Sequence, residues 1–65
     1  MSTSQEKIEA LELEIVELNT EIVQLKTDRN AATDTEERKS FLDAITAKEN
    51  RINRLFDQAA AAEGN

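Results

Sequence analysis

Apolar residues recur through the first half of the chain as Ile8, Leu11, Ile15, Leu18, Ile22 and Leu25, alternately three and four positions apart. Glu is the commonest residue at the positions between them. At 3.6 residues per turn this spacing lays all six on one stripe of an α-helix. Carried forward in the same register, the stripe meets Arg29, Ala32, Glu36 and Lys39, and there it ends. A second stripe then runs through Phe41, Ile45, Lys48, Ile52, Leu55 and Ala59, out of phase with the first. The segment between holds helix-start signatures, Thr33 with Glu36 and Asp34 with Glu37, and Asn30 tolerates the left-handed conformation that ends a helix. Thr3 with Glu6 forms a further capping box at the start. The pattern predicts an all-α chain, with a helix over about 4–31, a turn over about 32–34 and a helix over about 35–62. Gly64 lies just beyond the final alanine run.

A chain folded back on itself brings together residues whose position numbers have a nearly constant sum. Leu25 with Phe41, Ile22 with Ile45, Leu18 with Lys48, Ile15 with Ile52, Leu11 with Leu55 and Ile8 with Ala59 all give 66 or 67. The implied apex falls at Thr33-Asp34, where the capping signatures stand independently. This agreement predicts an antiparallel two-helix hairpin resembling a coiled coil. The competing arrangement is one long helix in a parallel coiled coil. Ile at every a position and Leu at every d suits parallel pairing, and no Gly or Pro interrupts the linker. The phase break favours the hairpin.

Charge follows the same fold. Residues 9–21 carry Glu9, Glu12, Glu14, Glu17 and Glu21 and no base, whereas 44–56 carry Lys48, Arg51 and Arg54 against Glu49 alone. Constant sums suggest the pairs Glu12–Arg54, Glu14–Arg51 and Glu17–Lys48. Lys48 is the one polar residue in the six layers, opposite Leu18. Its methylenes can lie along the seam while its ammonium reaches Glu14, Glu17 or Glu21 at the edge.

The seam leaves large apolar residues unused. Leu13, Val16 and Val23 lie nearly opposite the first stripe, with Thr20 and Thr27 continuing their line. Leu42 and Phe56 widen the second stripe to one side. A two-helix seam supplies little burial against the entropy of ordering the chain. These five residues are therefore expected to form an association face, most simply in a dimer of hairpins making a four-helix bundle.

Composition narrows the chemistry. There is no histidine and no cysteine, which removes the commonest acid–base side chain, thiol nucleophiles and the usual zinc ligands. No catalytic, cofactor-binding or metal-binding residue is expected, and the chain is not expected to be an enzyme. A formal charge of −6 is the wrong sign for gripping nucleic acid or an anionic membrane. No apolar run approaches the length of a membrane span. The opening Met1-Ser2-Thr3-Ser4-Gln5 has neither the basic nor the apolar part of a secretory signal, so a cytoplasmic location is expected. Read as a calcium loop, residues 28–39 fail at Thr33, where glycine makes the turn, and at Lys39, where the closing glutamate belongs. A di-iron bundle needs Glu-x-x-His pairs that this chain lacks.

Over residues 8–25 the Ile/Leu heptad resembles the zipper half of a basic-leucine-zipper protein. Lys7 is the sole base before it, so the resemblance implies dimerisation alone. Dimeric RNA-binding helical hairpins are similar in size, but their basic surface has no counterpart here. The expected function is a structural, self-associating module. The alternative is a small regulatory or adaptor protein whose apolar face docks a helix of a different protein.

Overall fold

The computed structural model describes residues 4–63, which form two helices, α1 (Ser4–Ala31) and α2 (Thr35–Glu63). They pack against each other as an antiparallel hairpin with extents of 49 × 15 × 14 Å. The Cα radius of gyration is 15.0 Å, against about 11 Å for a compact globule of this length. The molecule is a rod.

Local bonds explain the three-residue turn. The Ala32 amide donates to the carbonyls of both Asp28 (3.0 Å) and Arg29 (3.2 Å), a shared bond of the kind that closes helix ends. Asp34 immediately precedes α2, its carbonyl accepting the Arg38 amide at 3.0 Å. Glu36 and Glu37 occupy the first turn of α2, where carboxylates complement the helix dipole. One expectation is corrected: among the described residues none has positive φ, so Asn30 does not end α1 in a left-handed conformation. The helix continues through it, and the shared Ala32 bond closes the last turn instead. The second helix also runs one residue further than expected, to Glu63. Thr3 of the first capping box and Gly64 lie outside the described residues.

The seam forms the core. Ile15, Ile22, Ile45, Ile52 and Leu55 are buried, with Leu11, Leu18 and Leu25 packed against them. Leu55 is the most enclosed, with no exposed surface. Ile8, Phe41 and Ala59 are half-buried toward the two ends. Next to the turn, Arg29 and Arg38, whose numbers also add to 67, stand where the next apolar layer would be. There they line an open groove with Thr35, Lys39 and Leu42. The layer rule extended by one step would have joined these two cations.

Lys48 interrupts the seam without breaking it. Its side chain is 33% exposed and its ammonium meets the Glu21 carboxylate at 2.8 Å. A partly exposed pair of this kind contributes about 0–1 kcal/mol. Lys48→Leu exchanges that contribution for burial of a large apolar side chain against half-buried Leu18. The variant is expected to gain about 1–3 kcal/mol in denaturant unfolding, and a loss of stability would show that position 48 is not a seam position.

Candidate association surface

Three sides of the hairpin bear on the candidate residues. On one flank, Glu14 and Glu21 stand one heptad apart on α1, immediately before Ile15 and Ile22. Arg51 donates to Glu14 at 3.1 Å and Lys48 to Glu21 at 2.8 Å. These are the ion pairs that join the two helices among the described residues. Of the three expected pairs, Glu14–Arg51 forms; Lys48 takes Glu21 rather than Glu17, and Glu12 does not pair with Arg54. The reason is angular. A constant sum sets two residues at the same height, but Glu17 lies about 40° further round α1 from the seam than Glu21 does. Glu12 and Arg54 likewise sit at matching heights on different sides of the hairpin.

The opposite flank is an open groove between Asn19, Ile22 and Lys26 of α1 and Glu49, Ile52 and Asn53 of α2. Leu42 and Phe56 belong to the α2 rim, 45% and 57% exposed.

The third side is the back of α1. Leu13, Val16 and Val23 are 61%, 60% and 64% exposed, while neighbouring Ile15 and Ile22 are buried. One helix therefore presents two apolar stripes on opposed faces. The five residues expected to associate thus fall into two groups, three on the back of α1 and two on the rim of α2. Along the same line, the Thr20 hydroxyl donates to the Val16 carbonyl at 3.0 Å and the Thr27 hydroxyl to the Val23 carbonyl at 3.1 Å. Each threonine satisfies its donor within its own helix. Covering the stripe with an apolar surface would leave neither hydroxyl proton without an acceptor. This detail is invisible in the residue pattern, since a threonine can equally turn its hydroxyl to solvent.

Among the described residues there is no group of three or more acidic, cysteine or histidine side chains placed to hold a metal ion, and no helix is long and apolar enough to cross a membrane. No family model, curated protein or solved structure matches the chain.

Proposed function

We propose that this chain is a structural self-association module, acting most simply as a dimer of hairpins with four helices in all. The observation that supports it best is the exposed Leu13–Val16–Val23 stripe, along which Thr20 and Thr27 are already bonded within α1. The accessible surface supports it too. It measures 4904 Å², whereas a globular monomer of this mass scales to about 4,200 Å². The excess of about 700 Å² follows from the rod shape, and pairing two rods side by side would reduce it. The reading includes no catalytic role and no nucleic-acid partner, on the acidic and histidine-free composition. It places the module in the cytoplasm on the same charge-rich, cysteine-free composition.

Val16→Lys combined with Val23→Lys tests this. Both side chains lie away from the seam, so the variant should keep its helix content while two unpaired ammonium groups oppose burial. Sedimentation equilibrium is expected to show the parent chain near twice its 7.3 kDa mass. The variant's dissociation constant should rise about 100-fold. A parent that sediments as a monomer would transfer the stripe to a helix of a different protein, the adaptor reading.

A further inference from the structure

We infer that the second copy docks antiparallel with α1 against α1, so that the two first helices form the middle of the dimer and each α2 stays outside; this rests on the self-association reading above. The back of α1 is spaced like a seam: Leu13, Val16, Thr20, Val23 and Thr27 fall alternately three and four positions apart. The outer face of α2 offers nothing equivalent, since Asp43, Asn50 and Asp57 occupy it at heptad spacing. A shared four-helix core would have to use the rim of α2, and there Glu49 separates Leu42 from Phe56.

Direction follows from size and charge. Antiparallel layers whose numbers add to 36 set Leu13 against the second copy's Val23, and Val16 against its Thr20, so each large side chain meets an apolar or methyl-bearing one. The same register brings Lys26 beside Glu12 of the other copy, twice by symmetry. It also brings Asn19, which can both donate and accept, beside its own twin near the two-fold axis. Parallel docking would instead set Glu9 against its twin and Glu12 beside Glu17 of the other copy, twice by symmetry, whereas antiparallel docking leaves only Glu17 beside its twin. Like charges placed together select against an orientation more strongly than exposed pairs reward one. The Asn19–Lys26 edge is open to such contacts, lining a groove rather than the hairpin core.

The chain has no cysteine, so single cysteines report cleanly. In the antiparallel register the two copies of residue 19 are offset by only about 3 Å along the axis, and those of residue 27 by about 27 Å. Asn19→Cys and Thr27→Cys are each treated with a short bis-maleimide and sized under denaturing conditions, beside sedimentation of the uncrosslinked chain. The inference expects dimers by sedimentation, rapid crosslinking at position 19 and at least tenfold slower crosslinking at 27. Crosslinking at 27 as fast as at 19, or faster, would mean parallel docking and would overturn it. A sedimenting dimer that crosslinks at neither position, or one that Phe56→Lys dissociates, would overturn it while leaving self-association standing. A monomer by sedimentation would overturn both readings together.

Discussion

Leu55→Ala is expected to remove about 3–5 kcal/mol of stability and to leave much of the chain unfolded at room temperature. Among the described residues Leu55 is the one large side chain with no exposed surface, and it packs in a cluster of five buried residues. Truncating a buried leucine forfeits the transfer free energy of its methyl groups and leaves a cavity that a two-helix seam can close only by collapsing. A domain of this size has roughly 3–10 kcal/mol in total, so one such cavity consumes a large share. Circular dichroism during urea titration measures the loss. A change below about 1 kcal/mol would mean that Leu55 is not enclosed in solution and that the seam is drawn wrongly. The same substitution at Leu13, 61% exposed on the back of α1, is chemically identical but removes no seam contact. Its effect should fall on association rather than on the folding of the hairpin.

The contrast between those two leucines shows which part of the structure is written in residue order. The seam is legible because it depends on spacing along one chain. Six apolar positions in a 3-4 alternation fix a helix face, and the phase break between Leu25 and Phe41 forces a turn where constant sums put the apex. The helices α1 (Ser4–Ala31) and α2 (Thr35–Glu63) fall where that arithmetic places them. The ion pairs were legible only in part. Sums give height along the rod, whereas pairing also needs the two side chains to leave the seam on the same side. That condition admits Glu14 with Arg51 and Glu21 with Lys48 and rejects Glu12 with Arg54, while Glu17 leaves on the same side as Glu21 but about 40° too far from the seam. The end of α1 was not legible from Asn30, because tolerance of a left-handed conformation is no requirement for one. The Ala32 amide found its acceptors without it. The back of α1 was visible as a stripe, but the separation of Leu42 and Phe56 from it depends on where the second helix sits.

A disulfide joining Ile8→Cys to Ala59→Cys is expected to raise stability by about 4 kcal/mol. The two positions form the outermost layer of the seam, both half-buried at the open end of the hairpin. The bond would close a loop of about 50 residues, and constraining that length in the unfolded chain is worth about 4 kcal/mol in the chain-entropy account. Facing seam positions suit the roughly 4.4–6.8 Å that a disulfide requires between Cα atoms. The same crosslink also tests connectivity. A hairpin closes it within one chain, so the oxidised product should run as a monomer under denaturing, non-reducing conditions even when oxidised at high dilution. Two chains that exchange their α2 helices, or two continuous helices lying antiparallel, would give covalent dimers instead. α1 and α2 are held mainly by their seam, and the two ion pairs that bridge them among the described residues, Glu14–Arg51 and Glu21–Lys48, lie inward of the Ile8–Ala59 layer. Locking that end should therefore move the thermal midpoint sharply upward, and reduction with dithiothreitol should return it to the parent value. An oxidised monomer with an unchanged midpoint would mean that the bond strains the last turns by as much as it restricts the unfolded chain. Crosslinked dimers alone would falsify the intramolecular hairpin.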